Sequence, residues 1–526
     1  MKRIFTVMLL VLIAFNAFAT GEKEGIGAEF IMNNGTEPAS LDPSNISGVP
    51  EHHIYMAIFE GLVIYDPKTS LAAPGVAESW TVSPDSTQIT FKLRKEAVWS
   101  DGTPITAKTV VESWLRTLAP ETAAEYAYMI TMTVKGAEAY NEGKGPASGV
   151  AIRALDDKTF QVDLVGPMPY AVDMMAHYAF AILPMHVIAK YGNNWIKPGN
   201  MVSNGAFVLE SWKPQESLTV VKNPKYWDAA NVRLNKITFL PIEDRLTAYN
   251  KFKAGEIDWA DGIPLELIDE VKLRPDYQVS PQVGTYYYIY NMTRKPFDNP
   301  KVRKALTMAL NMQDLVAKIT KGGQLPTRSM VPAMAGYTPA QGAAYNPEEA
   351  KKLLAEAGYP GGKDFPKVTI LYNTLDAHKK IAEWVQESWK QVLGITSISL
   401  TNQEWGTFLD TRQNLHDFDI SRAGWIGDYL DPNTFLDMFM STSGLNDGLY
   451  NNPEFDRLVR QAASMPAGKA RMDTLRKAEE QLMTVDQHVI PFYHYVNQDM
   501  IDLTKWDGWY PNPLGSHEWK FIGPKK

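Results

Sequence analysis

The sequence predicts an α/β protein made of several packed units, because strand-like and helical segments alternate along a long chain that is rich in apolar residues. The chain has 526 residues, of which 45% are hydrophobic and 21% charged, as in soluble globular proteins. No charge run and no Ser/Gly-rich linker separates the segments. We therefore expect α/β lobes joined by short crossings rather than domains on a flexible tether.

The strand-like segments are short and alternate apolar with polar residues, as half-buried strands do. They lie at 91–93, 160–165, 218–222 and 236–240.

The helices have clearer signals. Asn299 and Pro300 open a segment with an apolar residue every third or fourth position, Asn346 and Pro347 open another, and a third runs from about 376 to 393 and ends at Gly394.

The amino terminus has the pattern of a secretory signal peptide. Lys2 and Arg3 precede an apolar run at 4–15, and Ala17-Phe18-Ala19 forms an A-x-A cleavage site. A membrane anchor is the alternative, but the run is short for a span. We expect a signal peptide at 1–19, an exported and periplasmic mature chain, and no lipid anchor, because no cysteine is present.

Composition and motifs exclude several kinds of chemistry. The absence of cysteine removes disulfides, thiolate metal sites and cysteine nucleophiles, and the net charge of −8 argues against nucleic-acid binding. There is no nucleophile elbow, phosphate-binding loop or dinucleotide fingerprint. His52 and His53 are adjacent, so their side chains point in different directions and cannot easily share a metal ion. We predict no metal and no cofactor, although a catalytic carboxylate pair stays open.

Aromatic residues are abundant, with 14 Trp and 24 Tyr. Most belong to the core on general grounds. Trp405, Trp425 and Tyr429 lie among Gly, Asp and Arg, as in an aromatic cleft that accepts amphipathic ligands.

Three motifs carry a resemblance to a known family: PGVAESW at 74–80, FKLR at 91–94 and WSDGTPITA at 99–107. With them the chain resembles the extracellular solute-binding proteins of family 5, the receptors for peptides, nickel and related solutes in ABC importers. Further stretches resemble the oligopeptide-binding subgroup, at 33–35, 41–43, 48–51, 285–288, 371–374, 378–380, 403–412, 422–425 and 428–429.

The resemblance implies a two-lobed periplasmic-binding-protein fold of the class II type with an additional inserted domain. The first lobe would comprise residues 20–60, 185–283 and 496–526, and the inserted domain residues 61–184. The second lobe would comprise residues 284–495. The discontinuity of the first lobe comes from the resemblance alone.

The resemblance also implies a role for Asp428, which matches the residue that pairs with a ligand α-ammonium. Arg422 and Arg412 match arginines that neutralise ligand carboxylates, and His378 matches a histidine with that role for longer ligands. As alternatives, Asp428 could cap a turn, the arginines could form structural salt bridges, and His378 could be a solvated first-turn residue.

The remaining matches concern the ligand backbone and side chains. Gly424 and Trp425 match a segment that pairs with a peptide like an added strand, and Val49 matches its facing partner. The residues that match the lining of side-chain pockets are Trp405, Trp425, Asn373 and Tyr126.

The chain departs from the oligopeptide subgroup at three positions. Ser47 and Ile289 stand where that subgroup has acidic residues, and Thr320, next to Lys321, stands where it has a lysine. We expect a weaker preference for Lys- or Arg-containing peptides, and the preferred peptide length stays open.

These observations predict a monomeric binding protein, not an enzyme, that captures short peptides and delivers them to an ABC-type permease in the inner membrane. A first alternative is a family relative for nickel chelates, oligosaccharides or opines. A neutral sugar would leave Asp428 unpaired in a closed cleft. A secreted hydrolase is a second alternative, against which the missing nucleophile and metal motifs argue.

Overall fold

The computed structural model of the chain describes residues 28–334 and 336–526. The predicted signal peptide at 1–19 lies outside them. No helix within these two ranges is long and apolar enough to span a membrane.

Within the described residues the helices are α1 (Val49–Ile58), α2 (Ala107–Leu118), α3 (Ala127–Thr133), α4 (Ala137–Asn141), α5 (Ala171–Met174), α6 (Met185–Tyr191), α7 (Arg245–Ala254), α8 (Ile268–Val271), α9 (Pro300–Met308), α10 (Met312–Leu315), α11 (Pro347–Glu356), α12 (Asp376–Leu393), α13 (Trp405–Leu409), α14 (Pro453–Ala463) and α15 (Lys469–Glu480).

The strands in the same ranges are β1 (Ala28–Asn33), β2 (Val63–Tyr65), β3 (Ala72–Pro74), β4 (Ala77–Val82), β5 (Gln88–Leu93), β6 (Ile152–Asp156), β7 (Thr159–Asp163), β8 (Phe207–Lys213), β9 (Ser217–Lys222), β10 (Leu234–Leu240), β11 (Trp259–Asp261), β12 (Tyr277–Tyr290), β13 (Leu325–Pro326), β14 (Val368–Asn373), β15 (Ile398–Gln403), β16 (Ile420–Ile426), β17 (Val489–Ile501), β18 (Trp506–Asp507) and β19 (Gly523–Pro524).

A mixed sheet of eleven strands runs through both lobes in the order β15-β14-β16-β12-β17-β11-β1-β10-β9-β8, with β13 also paired to β17. The long antiparallel strands β12 and β17 carry it from one lobe to the other. Their register shifts between Pro281 and Thr285, where residues 282–284 face Tyr495 alone. The predicted lobe boundaries at 283/284 and 495/496 coincide with this irregularity, and the division into lobes stays a prediction.

The second half of β12 is buried on both faces, which explains its unbroken aromatic run. Tyr286, Tyr288 and Tyr290 enter the core of the second lobe, beneath α9 and α12. Tyr287 and Ile289 enter the larger core on the opposite face. The period of two thus divides one strand between two cores.

The helices predicted from capping signals are confirmed. The side chains of Asn299 and Asn346 accept N-cap hydrogen bonds at the starts of α9 and α11. Gly394 closes α12 in the left-handed conformation, with φ of 75°. Helix α12 buries one face, including Trp389, whose indole N–H donates to the carbonyl of Leu306 at 2.9 Å.

A separate antiparallel sheet, β4-β5-β7-β6, lies within residues 61–184. Helix α2 covers it and inserts Trp114, which is fully buried. The Trp114 ring meets Phe160 edge-on at 5.0 Å and Phe180 at 5.1 Å. This arrangement agrees with the inserted domain that the sequence predicts, whose exact limits stay a prediction.

The parts of the chain are in contact across the cleft. Tyr170 of the inserted domain stacks on Tyr429 of the second lobe with ring centroids 5.0 Å apart and nearly parallel planes. Lys380 of the second lobe pairs with Glu266 of the first at 3.4 Å. The structure therefore shows the lobes brought together.

Candidate functional site

A cavity of about 310 Å³ lies between the lobes and is lined by residues from the first lobe, the inserted domain and the second lobe. All ten residues that the sequence singled out line it: Val49, Tyr126, Asn373, His378, Trp405, Arg412, Arg422, Gly424, Trp425 and Asp428. The fold thus gathers them in one place, and the role of each stays a prediction.

Asp428 forms the acidic end of the cavity. One carboxylate oxygen lies 3.3 Å from Nε2 of His177. Nδ1 of His177 accepts a hydrogen bond from the N–H of Ala179 at 3.2 Å, so Nε2 is the nitrogen that presents an N–H to Asp428. The hydroxyl of Thr434 lies 3.4 Å from the other carboxylate oxygen. Within the described ranges, no lysine or arginine lies within the 4.0 Å of an ion pair with Asp428.

Tyrosine rings surround this carboxylate. Tyr65 donates to the backbone carbonyl of Asp428 at 3.1 Å. The Tyr126 ring lies nearly parallel to that of Trp425, with centroids 6.3 Å apart. Burial, and then the charge of Asp428, raise the pKa of Tyr65 and Tyr126 well above the usual range, so both phenols stay neutral. A carboxylate among aromatic faces suits an ammonium group.

Arg422 lies in β16, and no described carboxylate is within 4.0 Å of it. Its Nη1 donates to the side-chain carbonyl of Asn373 at 3.3 Å and its Nη2 to the hydroxyl of Tyr495 at 3.2 Å. Its Nε is buried and finds no acceptor among the described residues. The guanidinium is therefore oriented by neutral partners and available to an anion.

His378 is buried in the first turn of α12, with 6% of its surface exposed, so the solvated alternative does not fit. Nδ1 lies 3.3 Å from the hydroxyl of Tyr286. Burial, followed by the charges of Arg422 and Arg245, holds the pKa of His378 well below its usual range. At neutral pH it can offer a hydrogen bond but no positive charge, which differs from the charge-neutralising role implied by the resemblance.

Arg412 already has an acidic partner. Its Nε lies 2.8 Å from a carboxylate oxygen of Asp447, and both side chains are largely buried. Burial raises the pKa of Asp447 to about 6, although Arg412 acts in the opposite direction. This geometry favours the structural salt bridge for Arg412 over direct ligand contact.

The strand that contains Gly424 and Trp425 has a free edge. Strand β16 pairs with β12 along its whole length, but with β14 only through Ile420 and Ser421. Residues 422–426 therefore leave one edge open toward the cavity. Such an edge can bind an extended peptide by strand addition.

The predicted facing partner of that edge has a different structure. Val49 is the first residue of helix α1, after Gly48 in an extended conformation, so Val49 itself is helical and not part of a strand. Pro50 at the second helical position has no N–H to lose there, which favours the helix start. The first lobe thus presents the beginning of a helix.

A pocket at the side of the cavity combines both lobes. Trp405 packs so closely on Gly48 that a Cβ there would lie 2.9 Å from the indole. The hydroxyl of Ser47 donates to the side chain of Gln413 at 3.4 Å. Of the three departures from the subgroup, only Ser47 lines the cavity, whereas Ile289 and Thr320 are buried elsewhere.

His52 and His53 lie on α1 and face different neighbours, as expected. The His52 ring packs on Tyr178, and Nδ1 of His53 lies 3.3 Å from the side-chain carbonyl of Asn34. In the part of the chain that the structure describes, no cluster of three or more metal-ligating side chains occurs.

Sequence reasoning missed His177, Tyr65, Tyr178 and Arg245, which also line the cavity. The aromatic residues and the histidine carried no usable signal, and His177 and Tyr65 reach Asp428 across more than 250 positions of chain. Arg245 did carry one. A cation in the first turn of a helix opposes the helix dipole and calls for an explanation.

The fold and the cavity together define a binding protein that encloses its ligand between two lobes. The model of the bacterial extracellular solute-binding proteins, family 5 Middle, matches residues 72–447. The chain belongs to this family.

Individual relatives agree with that assignment. The periplasmic oligopeptide-binding protein OppA of Escherichia coli strain K12 is 39% identical over 498 residues, which cover 91% of this chain and 89% of that protein. The crystal structure of Haemophilus influenzae OppA in complex with the peptide RPPGFSPFR has a TM-score of 0.91 at 34% identity, covering 95% of this chain and 100% of that one.

Two structures of one relative distinguish conformations. The murein tripeptide binding protein MppA of Escherichia coli has a TM-score of 0.90 at 35% identity, covering 95% of this chain and 99% of that one. Its unliganded open form has a TM-score of only 0.63 at the same identity, covering 95% and 98%. The lobes of the present structure are therefore not arranged as in that open form.

Proposed function

We propose that this chain is the exported substrate-binding protein of an ABC importer, which captures short peptides between its lobes and delivers them unchanged to a permease in the inner membrane. One observation carries the proposal. Among the described residues, a single cavity holds a carboxylate with no lysine or arginine partner, Asp428, and a guanidinium with no acidic partner, Arg422. The free edge of β16 runs along the same cavity.

These three features correspond to what all peptides share. A peptide has an ammonium group, a carboxylate and a row of amides between them. Asp428 suits the ammonium, Arg422 suits the carboxylate, and the strand edge suits the amides. Names of relatives support this assignment, because they are oligopeptide- and murein peptide-binding proteins.

The alternatives fit the cavity less well. A neutral oligosaccharide would leave Asp428 and Arg422 enclosed and unpaired, at a cost of several kcal/mol for each ion. A hydrolase would return cleaved peptide, whereas we expect intact peptide. We further propose that the mature protein acts as a monomer in the periplasm after removal of residues 1–19.

Calorimetry with tri-alanine and tetra-alanine, each free and N-acetylated, tests the function. The free peptides should bind more than about tenfold more tightly, because acetylation removes the charge that pairs with Asp428. Asp428→Asn should reduce the affinity for the free peptides to that for the acetylated ones.

Asp473→Asn is the matched control, because Asp473 forms an exposed ion pair with Lys469 on α15. It should leave both affinities unchanged. Equal affinities of the wild-type protein for free and acetylated peptides would remove Asp428 from this role. Mass spectrometry of the recovered peptide would reveal any cleavage.

A further inference from the structure

Arg245 is a second arginine of the cavity, and it comes from the opposite lobe to Arg422. It is the first residue of α7, whose N-cap is Asp244. Its guanidinium lies flat on the backbone of Gly262, where a Cβ would be only 2.5 Å from Cζ. Glycine at this position lets the side chain reach the cavity.

The guanidinium of Arg245 has no ion-pair partner within 4.0 Å among the described residues. Two carboxylates of the same lobe, Glu243 and Asp261, also line the cavity. The carboxylate of Glu243 accepts a hydrogen bond from the hydroxyl of Thr36 at 3.1 Å. The first-lobe side of the cavity therefore carries both acidic and basic side chains, but neither Glu243 nor Asp261 forms an ion pair with Arg245.

Arg245 and Arg422 act on the same groups of the second lobe. Burial first, and then both arginines, lower the pKa of His378. Both arginines also oppose the rise that burial causes in the pKa of Tyr495. Arg245, Arg422, His378 and Tyr495 also line the same cavity. The two guanidiniums therefore face one region, at the start of α12. No side chain caps that helix start, and the cavity reaches it through Thr374 and Leu375.

We propose that Arg245 is a specificity-determining residue that binds the carboxyl terminus of the peptide from the first lobe, so that this carboxylate bridges Arg245 and Arg422. The proposal rests on the proposed function. Without ligand, two like charges approach each other as the lobes close. A carboxylate between them turns this repulsion into two attractions, which exist only in the closed state and therefore favour it.

The test is calorimetry with tri-alanine and tetra-alanine, each as free acid and as C-terminal amide. In the wild-type protein the free acids should bind more tightly. Arg245→Gln should lower the affinity for the free acids by about tenfold and the affinity for the amides much less. The difference in affinity between acid and amide should therefore become smaller. The affinity of Arg245→Lys for the free acids should lie between those of the wild type and Arg245→Gln, because lysine keeps the positive charge but lacks the planar guanidinium with its paired donors. The double variant with Arg422→Ala should no longer distinguish acid from amide.

Lys251→Gln is the matched control, since it removes a cation from the same helix where Lys251 pairs with Glu256 on the surface. It should leave the amidation effect unchanged. The proposal for Arg245 would be overturned, without affecting the proposed function, if Arg245→Gln kept the full difference in affinity between acid and amide. It would also be overturned if the variant lost affinity for acid and amide equally. Failure of the wild-type protein to bind any of the four peptides would instead overturn the proposed function and this inference with it.

Discussion

Three carboxyl groups from three parts of the chain meet beside the cavity: Glu51 and Asp447, which are buried, and Glu125, which is half-buried. Burial raises the pKa of Glu51 to about 7 and that of Asp447 to about 6. Burial, and then the charge of Asp447, raises the pKa of Glu125 to about 7. The charge of Arg412 opposes the rise in the pKa of Glu125 without cancelling it. Glu51 and Glu125 therefore titrate near neutral pH, and Asp447 titrates about one pH unit lower.

The sign of the resulting pH dependence follows from proton binding. The folded protein keeps the proton of Glu125 up to about pH 7, whereas an unfolded glutamate loses it near pH 4.3. The folded state therefore binds more protons between these values, and its stability falls as the pH rises through that window.

We predict that Glu125→Gln removes part of this loss. As the pH rises from 5 to 8, the wild type should lose about 1–3 kcal/mol more of its free energy of unfolding than the variant loses, because glutamine does not titrate. Urea unfolding at several pH values measures it. The exposed neighbour Glu121 is the control, and Glu121→Gln should show the wild-type dependence. Parallel curves for wild type and Glu125→Gln would contradict the burial of a protonated carboxyl at this position.

At the scale of the elements, β16 and β17 position the charges of the cavity through one glycine. A Cβ on Gly424 would lie 2.3 Å from the hydroxyl of Tyr495 and 3.0 Å from Nη2 of Arg422. The absence of a side chain on β16 thus allows Tyr495 of β17 to hold Arg422 in place.

We expect Gly424→Ala to weaken peptide binding by about tenfold, or about 1.4 kcal/mol, which lies in the lower part of the roughly 1–3 kcal/mol that overpacking costs. Tyr495→Phe removes the atom that the methyl group meets first, so the double variant should recover part of the lost affinity. Calorimetry with tri-alanine compares the four proteins. If the effects of Tyr495→Phe and Gly424→Ala on the binding free energy simply add, the residues at 424 and 495 do not interact as described.

The sequence predicted elements where local chemistry decides, and failed where distant contacts decide. Asparagine caps and apolar spacing located α9, α11 and α12. The sequence analysis assigned Val49 a position facing β16 but no secondary structure, although Gly48 and Pro50 are typical of a helix start. The partners of Asp428 could not be predicted, since His177 approaches it across some 250 positions of chain.

At the scale of the whole molecule, one continuous sheet joins the two lobes, and its weakest point is the register shift between β12 and β17. The contacts across the cleft include the stack of Tyr170 on Tyr429. A bend at this shift would separate the residues that meet across the cleft. The lower TM-score against the open form of MppA fits such a difference between lobe arrangements.

We predict that peptide closes the lobes about this shift, and the absence of cysteine from all 526 residues makes the motion measurable. Spin labels on Glu266→Cys and Lys380→Cys would report on two side chains whose charged atoms are 3.4 Å apart across the cleft. This exposed ion pair contributes at most about 1 kcal/mol, so its removal should not prevent closure. Tri-alanine should turn a long, broad distance distribution into a short, narrow one, because only the closed state offers peptide contacts from both lobes.

Labels on Lys301→Cys and Glu356→Cys, a pair 2.8 Å apart within the second lobe, should give one distance with and without peptide. If the distance across the cleft does not change at saturating peptide, binding and closure are not coupled.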